Sequence, residues 1–274
     1  MRTVPVFLLV LASLAAGCAK GKPEAQKLSG DPALCDTTMT AIEDGFLLPI
    51  AGDSTRATST GAWGVRTEGD CERVSLALLR GDGAPQSPVA PLRGELRRSY
   101  GIVRVTIPGE IDAVADPDSM VGSTLVAAVF VVHARDGSFY EDIHLARPAL
   151  ARPVALARPA RIGIDLSPGG GAVPTLAPHA RNVVVIEPRS GPATYPIVIR
   201  GYARTFEANV VARLSLQGKV EQQTHGTAAD WMTTWGEFEL TIPNGPTGDV
   251  ELFVGEDSAQ DGTPIGVTIP LTIR

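Results

Sequence analysis

The sequence predicts an all-β protein built from two β-sandwich-like domains. Apolar residues recur at every second position in many short runs, which places them on one face of a strand. The 29 glycines and 22 prolines among 274 residues punctuate those runs, as turns between short strands require. No convincing amphipathic helix interrupts the pattern; Thr38 to Leu48 is a weak one.

Composition narrows the function. Charged residues make up 20% of the chain, 44% is hydrophobic, and the net charge is −6. A disordered acidic tail is excluded, and nothing in the overall charge resembles a nucleic-acid footprint. At the N-terminus, Arg2 precedes an apolar run from Val6 to Leu14, too short to span a bilayer. An export signal over residues 1–17 fits it better. The stretch Leu14-Ala15-Ala16-Gly17-Cys18 resembles the lipobox of bacterial lipoproteins, although that family usually carries Leu where Ala15 stands. The resemblance implies that Cys18 is diacylated and becomes the first mature residue. An ordinary secretory signal with a cysteine nearby is the alternative. Ala19 and Lys20 lack the aspartate that marks inner-membrane retention in enteric bacteria, so an outer-membrane anchor is favoured if the host has two membranes. Loss of Arg2 leaves the mature chain one charge more negative, so attachment would rest on acyl chains rather than on basic residues.

Residues 18–37 are polar and unpatterned and read as a tether. Cys35 and Cys71 match neither a CxxC pair nor a zinc ribbon. In an exported chain a disulfide between them is the default, with two separate buried thiols as the alternative.

The first domain is expected over residues 38–168. Val74, Leu76 and Leu78 alternate with Arg73 and Ser75, and Val103, Val105 and Ile107 alternate with Arg104 and Thr106. Leu125 to Val132 is continuously apolar, as in a strand buried on both faces. The turn Arg135-Asp136-Gly137-Ser138 returns the chain through Phe139 to Leu145, and Ile162, Ile164 and Leu166 close the domain. The order of Cys71-Glu72-Arg73-Val74-Ser75-Leu76, Ile102 to Ile107, Val129 to Leu145 and Arg158 to Leu166 resembles the AMIN-like domain of bacterial envelope proteins. That resemblance implies a role in peptidoglycan or envelope targeting, by analogy of fold. Arg147, Arg152 and Arg158 each precede a proline, and Arg161 follows. They could form a cationic strip for an acidic glycan or phosphate, or stand as solvated residues that protect an edge strand.

A short stiff linker over residues 169–179 leads to a second domain over residues 180–274. About seven short strands are expected there: 182–186, 196–203, 207–216, 219–224, 236–242, 249–255 and 266–273. That is the spacing of an immunoglobulin-like sandwich. Ile186-Glu187-Pro188, Arg200-Gly201-Tyr202-Ala203, Phe206-Glu207-Ala208-Asn209-Val210, Trp235-Gly236-Glu237-Phe238 and Val267-Thr268-Ile269-Pro270-Leu271 resemble the immunoglobulin-like domain of bacterial spore-germination proteins. The resemblance implies a non-enzymatic domain. A side chain at Gly201 would obstruct a strand crossing or bulge. Phe206 is expected in the core. Glu207 and Asn209 would face away from it, to bind a ligand or to brace a turn. Trp231 and Trp235 could stack on a sugar ring, although at least one is expected between the sheets.

Catalytic signatures are missing. The chain has no GxSxG elbow, P-loop or HExxH. His133 and His144 could face each other across their hairpin, with Asp142 a poor third ligand for zinc. The acidic turn Glu256 to Gly262 lacks the spacing of an EF-hand. No metal or other cofactor is expected. The sequence therefore points to a lipid-anchored envelope binding or scaffolding protein, with peptidoglycan or an envelope protein as partner and no nucleic acid. A cell-wall hydrolase with loop-borne carboxylates, or a purely structural spacer, is the alternative.

Overall fold

The computed structural model describes residues 31–36, 46–48, 57–80, 92–107, 109–157, 160–171, 173 and 176–274. The signal segment, Cys18, most of the tether and Arg158 lie outside the described residues.

The fold is all-β, as the alternation predicts. Its first part contains β1 (Phe46–Leu48), β2 (Ala57–Glu68), β3 (Cys71–Leu79), β4 (Leu92–Arg97), β5 (Ile102–Ile107), β6 (Gly109–Val114), β7 (Asp118–Met120), β8 (Val126–His133), β9 (Phe139–Leu145), β10 (Ala149–Ala157) and β11 (Ala160–Pro168). The second contains β12 (Val183–Glu187), β13 (Gly191–Ala193), β14 (Ile197–Ala203), β15 (Asn209–Leu216), β16 (Lys219–Thr227), β17 (Trp235–Ile242), β18 (Gly248–Asp257) and β19 (Pro264–Ile273). The end of the weak helical stretch, Phe46–Leu48, is a strand paired with Leu92–Gly94.

Each part buries its apolar faces between two sheets. In the first, β10-β11-β3-β2-β6 lies against β1-β4-β5-β9-β8. Leu76, Ile164, Val103, Val129 and Ile143 are fully buried between them. In the second, β13-β19-β18-β15-β16 covers β17-β14-β12, and Ile199, Leu214, Phe238, Leu252 and Val254 fill the space. Gly201 sits opposite a bulge between Val185 and Glu187, where a Cβ would collide with the Val184 carbonyl oxygen. The close approach foreseen at that glycine is the physical reason for it.

The two parts are not beads on a spacer. β8 and β17 pair in parallel through Val132↔Trp235 and His133↔Gly236, so one nine-stranded sheet runs through both. A third core, with Phe130, Val132, Tyr140, Val184, Tyr202 and Trp235, fills the seam. Phe130 stands 5.2 Å from both Tyr202 and Trp235. The end of the linker joins in: Ala177 is buried in the seam and His179 bridges to Val184.

Candidate functional site

Cys35 and Cys71 form a disulfide with a Cα separation of 6.2 Å. It belongs to a wider staple. Arg73 donates from Nε and Nη2 to Asp165 at 2.5 and 2.8 Å, and both side chains are buried. The same guanidinium donates at 3.0 Å to the carbonyls of Pro32 and Ala33, and the Cys35 amide donates to Asp165 at 2.8 Å. Residues 32–35 are thereby sewn onto β3 and β11.

Among the described residues, Arg147, Arg152 and Arg161 do not gather into one exposed strip. Arg147 is exposed. Arg152, on the edge strand β10, donates to Ser167 Oγ at 2.9 Å. Arg161 is buried and pairs with Asp31 at 2.7 Å. A guanidinium already neutralised inside the protein is withdrawn from an acidic ligand, so Arg161 does not belong to a binding surface. Arg158 lies outside the described residues.

The histidines do not face each other either. His133 pairs with Phe139 and His144 with Ala128, because the hairpin register sets their positions five residues out of step. The His133 ring stacks on Phe139 at 4.3 Å, and Asp142 is held bidentate by Arg104 at 2.8 Å. His144 is buried in the seam, hydrogen-bonded to the Tyr202 hydroxyl. Burial lowers its pKa to about 4, so it is neutral at neutral pH. Glu141 points to the opposite face of β9, into the first core. Burial, with the nearby Asp142 charge, raises its pKa to about 8, and neither carboxyl oxygen has a hydrogen-bond partner among the described residues. Its side chain is fully buried.

The two tryptophans separate. Trp235 is the intersheet residue: it is buried, and its Nε1 donates to Asp118 at 3.0 Å. Trp231 is 37% exposed. Its loop is rigidly built. Asp230 Oδ1 accepts from the amides of Trp231, Met232 and Thr233 at 2.6, 2.8 and 3.0 Å, an Asx-type turn closed by one side chain. Thr234 Oγ1 donates to the Val131 carbonyl at 2.5 Å. Gly236 lets the loop lie directly on β17, since a Cβ there would strike the Asp230 backbone.

Phe206 is not in the core; it is 56% exposed. Glu207 and Ala208 take positive φ values of 53° and 58°, conformations that disfavour side chains. Ala208 keeps the inward phase of Val210, whereas the twist turns Phe206 out to join Glu207 and Asn209 at the surface. Phe206 meets Trp231 edge-on at 5.6 Å.

Beside this aromatic pair runs a groove of about 380 Å³ lined by Arg181, Asn182, Arg204, Trp231, Glu256 and Ile265. Its floor is braced by Glu256, which accepts from the Asn182 amide and, at 2.7 Å, from the Phe206 backbone. The acidic turn is thus occupied by protein: Glu256 holds the groove and Asp257 pairs with Arg213. Arg204 lies 3.5 Å from Asp118 through Nη1. Its Nε and the Asn182 Oδ1 are buried without a hydrogen-bond partner among the described residues. Arg181 is exposed.

Of the groove, the sequence singled out Trp231 as a ligand contact and Glu256 only as part of an acidic turn. Asp230 followed by an exposed Trp-Met-Thr run was the available signal, a turn closed by an aspartate. Arg181, Arg204 and Ile265 carry no such signal, because they meet only after the strands pair.

No curated protein matches the chain. Residues 182–263 match the immunoglobulin-like domain of bacterial spore germination (Gmad2), a stretch that includes Asn182, Arg204, Trp231 and Glu256 of the groove.

Proposed function

We propose that this chain is an exported, lipid-anchored protein of the bacterial cell envelope, a non-enzymatic binding or scaffolding module that engages peptidoglycan or another envelope component. The observation that carries the reading is the preorganised groove, where an exposed aromatic pair stands beside two arginines. Such a combination of apolar platform and convergent polar groups is what ligand sites use. The export pattern of residues 1–17, the lipobox-like cysteine at position 18 and the Cys35–Cys71 disulfide support an oxidising compartment. The immunoglobulin-like match supports a binding domain, and the sequence resemblance of the segments at 71–76, 102–107, 129–145 and 158–166 favours an AMIN-like partner domain. Acyl chains on Cys18 would hold the protein at a membrane, the outer one in a host with two.

Co-sedimentation of the full mature chain with purified peptidoglycan sacculi and with total envelope fragments tests the reading. Saturable sedimentation with either is expected, and its loss in Trp231→Ala. Absence of sedimentation with both overturns it. Intact-mass measurement separately checks Cys18, where an unmodified cysteine would contradict the anchor.

A further inference from the structure

We propose that the groove beside Trp231 binds an acidic glycan, by stacking a hexopyranose ring on the indole and pairing the sugar's carboxylate with Arg204 and Arg181. The proposal rests on the envelope-binding reading and names the ligand class for that site.

Three features select this chemistry. The first is the platform. Trp63 and Trp235 are 4% and 2% exposed, whereas Trp231 is 37% exposed and its backbone is pinned by Asp230. Phe206 supports the indole edge-on, and Ile265, also partly exposed, lines the same groove. A rigid indole gives a large contact area with little conformational entropy to lose on binding.

The second is charge. The chain as a whole is acidic, with a net charge of −6, so anions are not drawn to its surface in general. Here two arginines line one groove, and Glu256, the acid that lines it with them, accepts from Asn182 and the Phe206 amide. Asp118 takes only one side of Arg204. Glu207 is exposed on the adjoining turn and disfavours ligands crowded with negative charge.

The third is unmet hydrogen bonding. Arg204 Nε is a buried donor and Asn182 Oδ1 a buried acceptor, both without a partner among the described residues. Buried polar groups normally find partners. A carboxylate answers the guanidinium with a charge-assisted bond, and a sugar hydroxyl or acetamido N–H answers the amide oxygen. At about 380 Å³ the space falls within the roughly 300–1,000 Å³ of small-molecule sites.

The test is a fluorescence titration of the full mature chain with three probes. These are the disaccharide of N-acetylglucosamine and N-acetylmuramic acid, chitobiose as its neutral counterpart, and sodium lactate as the carboxylate alone. The acidic disaccharide should perturb Trp231 emission saturably, with no signal in Trp231→Phe. Chitobiose should bind about a hundred-fold more weakly, the worth of two charge-assisted hydrogen bonds of about ten-fold each, and lactate should not saturate. Arg181→Gln, an exposed site that leaves folding intact, and Arg204→Gln should each weaken the acidic disaccharide by about ten-fold without changing chitobiose. Arg147→Gln should change nothing. Equal affinity for the acidic and neutral disaccharides, or insensitivity to both groove arginine variants, overturns the proposal. If no disaccharide binds while envelope fragments still sediment the protein, the ligand class is wrong and the envelope reading stands. If neither binds, both fail.

Discussion

The indole Nε1 of Trp235 donates a 3.0 Å hydrogen bond to the Asp118 carboxylate, joining residues 117 positions apart across the seam between two sandwiches. Trp235 also pairs in register with Val132 and packs against Phe130. One residue thus supplies backbone, aromatic and polar links between the halves, and the spacing of two domains along the chain conceals a single continuous sheet.

From this we expect one cooperative unfolding transition in the wild-type protein. Trp235→Ala should destabilise it by about 3–5 kcal/mol and split the transition in two, as the seam opens before either core. Calorimetry decides: a transition that remains single in the variant would mean that Trp235 is not what couples the halves.

The staple at the start of the first sandwich should be stabilising. Loop closure by the 36-residue separation of Cys35 and Cys71 is worth about 4 kcal/mol in the chain-entropy model. A Cys35→Ser/Cys71→Ser protein should lose most of that in urea denaturation. Asp165→Ala should lose about 3–5 kcal/mol, because it strands the Arg73 charge in the interior. The double change Arg73→Met/Asp165→Leu should recover much of the loss. Failure to recover it would place the Asp165 effect in its bond to the Cys35 amide instead.

Two buried groups give stability a particular pH profile. Glu141 has its pKa raised to about 8 from an ordinary 4.5. The native state therefore holds a proton the unfolded chain releases, and stability falls as pH rises from 4.5 through 8. His144, lowered to about 4 from 6.5, acts oppositely: the unfolded chain binds the extra proton, so stability is lost as pH falls from 6.5 through 4. The two slopes oppose each other where the windows overlap. Glu141→Gln should flatten the decline between pH 6.5 and 8, and His144→Gln should flatten the acid-side loss. Urea midpoints across pH 4–9 would show an unchanged alkaline limb in Glu141→Gln if burial does not govern that carboxyl.

Gly201→Ala should be severe for a small change. Its Cβ would meet the Val184 carbonyl at a bulge, and relief requires moving β12 away from β14, at a cost of about 3 kcal/mol. Gly218→Ala should be milder. Its φ is 79° but nothing lies near its Cβ, so only backbone strain opposes the substitution. Thermal midpoints of the two variants rank them, and a larger loss at Gly218 would overturn the packing argument.

The strands that could be read from the chain are those with one wet face and those, such as β8, with an unbroken apolar run. β17 and β19 alternate cleanly, and the turn from Arg135 to Ser138 was legible from its Asp-Gly pair. Strands such as β2, with its polar Thr-Ser-Thr start, β6 and β13 were not, since their apolar content is too thin for periodicity to register. Phe206 illustrates the same limit in reverse. Alternation from β15 places both Ala208 and Phe206 inside, but two consecutive positive φ values end the extended chain there, so Ala208 stays buried and Phe206 turns outward.

Taken alone, the amino-acid sequence determined the all-β class, most strands of the second sandwich, the Cys35–Cys71 bridge and the need for glycine at position 201, because each depends on short-range periodicity, composition or local sterics. Only the tertiary structure decided that Trp235 is buried while Trp231 is exposed, that Arg161 is sequestered by Asp31, and that Arg181, Arg204 and Ile265 meet across the sheets. Periodicity says which side of a strand a residue occupies; what lies on that side is set by pairing with segments far away along the chain.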